Sequence, residues 1–265
     1  MKYPDMNDLV AVVSGASRGI GAAIVKSLAD NGVKIAGIAR TEASAAAGLA
    51  AAHGAIADVD FLPIGADVSK SAEVDAAAEK ILGHFSGRVD ILIHNAGITS
   101  DMPYSRMKPE AWEKVIATNL SAAFYLTRAF SKPLLESTQG RVVYVGSGVG
   151  VTGNICQANY AASKSGLAGL MLCVIKDNKR FSKQNGRLTI NEVDPGVIEG
   201  TDMTKGILAN DEKRAKILGG IPLGRLGSPE DVAKVVTFVC SGDAGYIHGA
   251  KIPVDGGVII GGLDL

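Results

Sequence analysis

Seven short apolar stretches, rich in β-branched residues, punctuate the chain: Leu9–Val13, Val33–Ala39, Phe61–Ile64, Val89–Ile93, Val142–Val145, Leu188–Val193 and Ile252–Val254. Runs of this kind suit strands buried on both faces, as in a parallel sheet. Between them the pattern predicts helices over Gly19–Asp30, Ala43–His53, Ala72–Phe85, Pro109–Leu135, Asn159–Lys183 and Pro229–Val239. Ser71-Ala72-Glu73 and Ser228-Pro229-Glu230 read as helix starts, with a capping residue, an early acid and, in the second, proline in the first turn. Strand, helix, strand at this spacing means βαβ units. The expected fold is α/β: a doubly wound, Rossmann-type parallel sheet of about seven strands with helices on both faces. No polar linker divides the sequence, so residues 1–265 read as one domain. The strand-poor segment from Gly196 to Ala250 holds the Gly-punctuated stretch Gly200–Gly227, and the part near 200–220 is expected to cover a substrate.

Composition narrows the classes. The chain has 265 residues, with 27 basic and 27 acidic side chains. That balance argues against a nucleic-acid binder and a polybasic membrane anchor. Hydrophobic residues are 47% and charged residues 20%, which excludes a disordered chain, and 33 glycines point to binding loops built from backbone. Cys156, Cys173 and Cys240 lie far apart, so neither a disulfide framework nor a metal cluster is expected. The longest nearly apolar run, Gly166 to Ile175, is too short for a bilayer. The start lacks an apolar signal region, and the expectation is a cytoplasmic protein with no membrane partner.

The chemistry-bearing residues follow strand ends. The first strand runs into Ser14-Gly15-Ala16-Ser17-Arg18-Gly19-Ile20-Gly21 and then a helix. Glycines there let backbone approach a pyrophosphate, and the helix N-terminus supplies free N–H groups. Gly15-Ala16-Ser17-Arg18-Gly19 also fits a hydrolase G-x-S-x-G elbow, but that turn belongs mid-chain, and the only late histidine, His248, sits just before a strand. The second strand ends at Ala39-Arg40, with no acid to hold an adenosine ribose. Arg18 and Arg40 could instead clamp a 2′-phosphate, favouring NADP(H) over NAD. Asp67-Val68 follows the third strand; Asp67 could accept from an adenine amino group or cap a helix. Asn95-Ala96-Gly97 follows the fourth, where small residues would let a cofactor lie against backbone. Tyr160 and Lys164, four apart, share a helix face. A nearby ammonium stabilises a phenolate, bringing a group of pKa about 10 toward use near neutrality. Ser147, at the end of the fifth strand, could hydrogen-bond a carbonyl.

In this order the motifs resemble the short-chain dehydrogenase/reductase family, from Ser14 to Gly257: the Gly-rich turn, Asp67-Val68, Asn95-Ala96-Gly97, Asn119, Ser147, Tyr160 and Lys164, Pro195-Gly196 and Asp255-Gly256-Gly257. Within the family the wording is similar to that of the 3-oxoacyl carrier-protein reductases, in Gly97-Ile98-Thr99, Arg106-Met107-Lys108, Gln157-Ala158-Asn159-Tyr160 and Gly224-Arg225-Leu226-Gly227. The resemblance implies that Tyr160 protonates a carbonyl oxygen while NADPH delivers hydride to its carbon. It implies that Lys164 binds the nicotinamide ribose and lowers the Tyr160 pKa, that Ser147 orients the carbonyl, and that Asn119 holds a relay water. Pro195, Gly196, Ile198 and Thr201 would wrap the nicotinamide. The implied activity is reduction of a 3-oxoacyl thioester, on acyl carrier protein or coenzyme A, within fatty acid biosynthesis, by a homotetramer. An alcohol or sugar dehydrogenase on the same scaffold is the alternative. A dinucleotide-binding regulator without turnover is another, against which the intact Asn119, Ser147, Tyr160 and Lys164 speak.

Three features depart from the family pattern. Gly200 adds one position before Thr201. The interval from Lys164 to Pro195 is about five residues longer than usual, around Lys176–Gly186. Leu134-Leu135-Glu136-Ser137-Thr138 lacks the base expected to dock an acidic carrier; Lys176, Lys179, Arg180 and Lys183 could substitute, or form a solvated helix face. Met203, Ile207 and Leu208 are expected to line the substrate's apolar wall. Val258-Ile259-Ile260 fits either a subunit contact or intrachain core.

Overall fold

The computed structural model describes residues 2–53, 59–181 and 187–261. Seven strands, β1 (Val10–Ser14), β2 (Lys34–Ala39), β3 (Phe61–Gly65), β4 (Ile91–His94), β5 (Arg141–Val145), β6 (Thr189–Pro195) and β7 (Lys251–Val254), form one sheet in the order β3-β2-β1-β4-β5-β6-β7. Every neighbouring pair is parallel. The chain winds outward from β1 to β3, then crosses back to lay β4 on the other side of β1. That reversal opens a crevice at the carboxyl ends of β1 and β4, where ligands bind in such sheets.

The helices are α1 (Gly19–Ala29), α2 (Glu42–His53), α3 (Ser71–His84), α4 (Pro109–Ile116), α5 (Ala122–Ala129), α6 (Ser131–Glu136), α7 (Val149–Thr152), α8 (Ala158–Phe181), α9 (Asp202–Leu208), α10 (Asp211–Gly219), α11 (Pro229–Cys240) and α12 (Val258–Gly261). Strand alternation feeds two cores. In β1, Ala11 and Val13 pack with Ile24 and Leu28 of α1 and Val232 and Val236 of α11. Val10 and Val12 pack on the opposite face with Val74 and Ile81 of α3, Leu126 of α5 and Leu167 and Met171 of α8. Both faces are therefore dry, which is why these strands read as continuous apolar runs.

The expected elements are present, with ends displaced by one or two residues, and two readings are corrected. The stretch Pro109–Leu135 is not one helix: Ala117–Ser121 forms a π turn between α4 and α5, and α6 starts anew at Ser131. Ser71 does not cap α3; Lys70 holds the cap position and makes no side-chain cap bond. Ser228 does cap α11, in a reciprocal box with Asp231, worth about 1 kcal/mol. The lengthened stretch around Lys176–Gly186 extends α8 to Phe181; its remainder, with Lys183, lies outside the described residues. Lys176, Lys179 and Arg180 are exposed. Among the described residues no helix is long and apolar enough to cross a membrane.

Candidate active site

Because all strands run the same way, the turns after β1, β2, β3, β4, β5 and β6 gather along one edge. The turn after β1 is shaped by crowding. Gly15 adopts φ +68°, and a methyl group there would lie 2.9 Å from Ala96 Cα. A methyl at Gly21 would collide with the Gly15 carbonyl oxygen. Behind the turn, Gly48 of α2 leaves room for Ala16 and Ser17, where a methyl would lie 2.6 Å from Ser17 Cα. Asn95 ties the turn down by donating from Nδ2 to the carbonyls of Ser14 and Gly15, both at 3.1 Å. The Ser14 hydroxyl accepts from the N–H groups of Asn95 and Ala96. Helix α1 then starts with no side-chain cap at Arg18, so Gly19, Ile20 and Gly21 open an N-terminus of the kind that receives an anion. Tight backbone and an uncapped helix start fit the pyrophosphate of a dinucleotide.

The two arginines are placed differently from one another. Arg40 stands exposed at the end of β2, close enough to Asp67 to help lower its carboxyl pKa, after the Ser69 hydroxyl. Arg18 ion-pairs with Asp202 of α9 at 2.9 Å. Arg18 thus reaches α9, while Arg40 stands apart from that pair. Asp67 behaves as a turn cap, with Oδ1 accepting from Ser69 N–H at 3.1 Å and Ser69 Oγ–H at 2.7 Å, while the Val68 side chain enters the core.

Tyr160 and Lys164 project from the first turns of α8 and are both buried. The Ser147 side chain stands close enough to the Tyr160 phenol to act on its pKa. Ser147 follows β5; its N–H donates to Asp194 Oδ1 at 3.0 Å, and its Oγ accepts from Val149 N–H. Lys164 Nζ donates to the Val145 carbonyl at 2.8 Å and lies 5.7 Å from the Tyr160 ring centroid. Burial pushes Lys164 down to about 8, with Glu192 and Asp194 opposing the fall. Burial also raises the Tyr160 phenol, Asp101 and Asp194 add to the rise, and it is the Ser147 hydroxyl that opposes it. Both groups are dry, and desolvation is the largest effect on each.

Asn119 sits in the π turn. Its Oδ1 accepts from Ile98 N–H at 2.9 Å, and its Nδ2 donates to Ile98 O and Ser163 Oγ, both at 3.0 Å. A methyl built on Gly97 would lie 3.4 Å from Asn119 Oδ1 and 3.5 Å from Lys164 Nζ, so both flank the same glycine.

Beyond β6, Pro195 ends the strand and Gly196 permits close packing on Asp255, where a methyl would lie 2.7 Å from Asp255 Cα. Gly200 takes φ +72°. With that left-handed residue the chain swings back, and Thr201 Cγ2 lies 3.5 Å from a methyl position on Gly19, against the phosphate-type turn. The Ile198 side chain is buried in the core. Met203 and Ile207 are exposed, whereas Leu208 packs with Ile217, Ile221 and Leu226 and anchors the segment. Val258 joins that cluster, and Ile259 Cγ1 lies 3.3 Å from a methyl position on Gly148, so this tail packs within the chain.

Fold and site together define a doubly wound α/β protein with an anion-binding turn beside a buried Ser–Tyr–Lys constellation. The family model of the short chain dehydrogenases matches residues 9–212, and the chain belongs to that family. It is 42% identical over 254 residues to the 3-oxoacyl-(acyl-carrier-protein) reductase FabG of Escherichia coli, covering 94% of this chain and 96% of the relative. The reductase of the same name from Haemophilus influenzae is 38% identical over 255 residues, covering 96% and 100%. A crystal structure described as that of a short-chain alcohol dehydrogenase from Sinorhizobium meliloti superposes with TM-score 0.86 at 30% identity, covering 97% of this chain and 99% of that one. The chain is an oxidoreductase.

Sequence reasoning missed three residues beside this site. Glu192 and Asp194 of β6 and Lys251 of β7 are joined by ion pairs at 2.6 and 3.3 Å. The signal was present as two acids at alternate positions of the strand Thr189–Pro195.

Proposed function

We propose that this protein is an NADPH-dependent reductase that converts a 3-oxoacyl thioester, on acyl carrier protein or coenzyme A, to the 3-hydroxyacyl thioester. The observation that carries this reading is the burial of Tyr160, Ser147 and Lys164 together, with Ser147 close enough to act on the phenol, beside the glycine turn. It is supported by the names of the relatives, which cover nearly the whole chain. When bound, a reduced nicotinamide supplies hydride to the carbonyl carbon. The chain's own residues do the rest. Ser147 donates to the carbonyl oxygen, and Tyr160 delivers a proton to that oxygen as charge develops on it. Lys164 holds the ribose hydroxyls and presents a positive charge behind the phenol, easing the proton's departure. Asn119 keeps the Ile98 backbone and the π turn in place beside Lys164, where a relay water would stand. Gly15, Ser17, Arg18, Gly19, Ile20 and Gly21 cradle the pyrophosphate. Arg40 and Arg18, once released from Asp202, meet the 2′-phosphate. Asp67, Val68, Asn95, Ala96 and Gly97 line the adenine and ribose side, and Pro195, Gly196 and Thr201 the nicotinamide side. Met203 and Ile207 present apolar surface to the acyl chain.

The protein acts in the cytoplasm as a homotetramer. Trp112, Phe124 and Leu172, exposed apolar residues on α4, α5 and α8, support contacts through these helices. The test is loss of absorbance at 340 nm with NADPH and an acetoacetyl thioester. Tyr160→Phe should cut turnover by about 10²–10⁴-fold while NADPH binding, read by fluorescence, is retained. Undiminished turnover in that variant would overturn the mechanism.

A further inference from the structure

One row of the sheet carries an unusual load of polar side chains. The parallel register aligns His94 of β4 with Tyr144 of β5, Tyr144 with Glu192 of β6, and Glu192 with Lys251 of β7. Partners in register point to the same face, and this is the face on which α8 carries Lys164. Glu192 is fully buried. Its Oε1 meets Lys251 Nζ at 2.6 Å, and its Oε2 has no hydrogen-bond partner among the described residues. Asp194, two residues on, meets Lys251 at 3.3 Å through Oδ2 and accepts the Ser147 N–H through Oδ1. Both carboxylates crowd Gly146, the residue before Ser147; a methyl there would collide with Glu192 Oε1 and Asp194 Oδ1.

Two buried acids against one partly exposed lysine leave an excess negative charge under the active site. A dry carboxylate of this kind is costly unless a cation faces it. We propose that Glu192 and Asp194, bridged by Lys251, are positioning residues of the reduction: together they form the buried counter-charge for Lys164, and Asp194 also fixes the backbone that carries Ser147. This rests on the proposed roles of Lys164 and Ser147.

The surrounding groups are accounted for on every side. Besides burial, Glu192 and Asp194 are the charges acting on Lys164. From β4, burial pushes His94 down to about 3, so it stays neutral, and it stacks on Tyr144 with ring centroids 5.3 Å apart. From β5, burial pushes Tyr144 up to about 12, and its hydroxyl bonds Thr127 of α5. From α8, Tyr160 faces Ser147, with Asp101 acting on it from the segment after β4. Burial and Asp194 raise the Glu192 carboxyl, and from β7 Lys251 opposes that rise. Where Lys164 titrates, Tyr144 and His94 are thus neutral, and the Lys251 ammonium favours the charged form of Glu192.

The experiment titrates Lys164 directly, by NMR of protein carrying ¹³C-labelled lysine, without added cofactor, the resonance being assigned with Lys164→Met. Glu192→Gln preserves shape and an oxygen for Lys251 but removes the charge. Its midpoint should fall by about one pH unit, the low end for loss of an opposing charge at close range. At pH 8 the ammonium fraction then drops about fivefold, and kcat/KM should drop with it while the acidic limb of the profile stays put. Glu192→Gln combined with Lys251→Gln leaves the charge facing Lys164 as it was, one net negative, so its midpoint should return toward wild type. A purely structural role would make the double variant worse than the single. If Glu192→Gln does not fold, Asp194→Asn, which keeps an acceptor for the Ser147 N–H, should show the same downward shift. Midpoints equal to wild type in the single variants, or a further fall in the double, overturn the inference. Those outcomes stand apart from failure of the catalytic reading, which retained turnover in Tyr160→Phe would reveal while leaving the midpoints intact.

Discussion

Lys164→Met should stabilise the folded protein at neutral pH while abolishing its turnover. Burial holds the Lys164 ammonium at about 8, against an ordinary value of 10.5. Below pH 8 the side chain is charged in both folded and unfolded chains, and the native state carries the full desolvation cost. The gap of about 2.5 units corresponds to roughly 3 kcal/mol at 1.36 kcal/mol per unit. Methionine fills much of the same space without that cost, but it leaves the Val145 carbonyl, now bonded by Nζ at 2.8 Å, without its donor, a loss of about 1 kcal/mol. The net gain at pH 7 is therefore about 2 kcal/mol, or about 4 °C in thermal midpoint for a chain of this size. The pH dependence supplies the sharper criterion. Between pH 8 and 10.5 the unfolded chain binds the proton that the native state has lost, so wild-type stability rises with pH through this window. The variant lacks the group, and its advantage should shrink by roughly 3 kcal/mol and reverse near pH 10.5. Urea unfolding of both proteins at several pH values, at one protein concentration because assembly shifts apparent stability, measures the difference. A difference that stays flat from pH 7 to 10.5, or a variant less stable at pH 7, would refute the buried-ammonium argument.

Two further outcomes concern the cofactor cleft. Arg18 and Asp202 are each more than half exposed, so their ion pair is worth under about 1 kcal/mol. Asp202→Ala should free Arg18 and tighten NADPH about two- to fivefold by calorimetry, with NADH unchanged; an equal effect on both nucleotides would remove Arg18 from the 2′-phosphate. Arg40→Ala should weaken NADPH at least about tenfold and NADH less than about twofold, since a guanidinium–phosphate contact is charge-assisted and bidentate; equal losses would undo the NADP preference.

The architecture was legible because the sheet is dry on both faces. In β1 every residue is buried, and Val10 to Val13 alternate between the two cores, so apolar continuity alone locates the strand. The break within 109–135 left no such mark. Periodicity reports which face of a helix is apolar, whereas the π turn at 117–121 is a slip in backbone hydrogen bonding that brings Asn119 to Ile98. Glycine positions in the first turn were readable since only glycine tolerates the crowding of Gly15 and Gly21. The destination of Arg18 was not, because it depends on where Gly200, at φ +72°, sends the chain nearly two hundred residues later.

The buried charges were illegible for a deeper reason. Along the sequence, Asn191-Glu192-Val193-Asp194 reads as a strand with one wet face. The sheet gives it none: β7 and α8 close over the acids, and only the register that sets Glu192 beside Lys251 makes their burial tolerable. An unsatisfied Glu192 oxygen, a lysine held near pH 8 and a phenol raised by burial lie in one corner of the fold. Each is a cost to stability that packing with apolar residues would avoid. Together they place a cation, an acid and a hydrogen-bond donor in a medium where charge acts strongly. The buried Lys164 ammonium carries that desolvation cost and also sets a positive charge behind the phenol, and for that reason stability and turnover should change in opposite directions when Lys164 is removed.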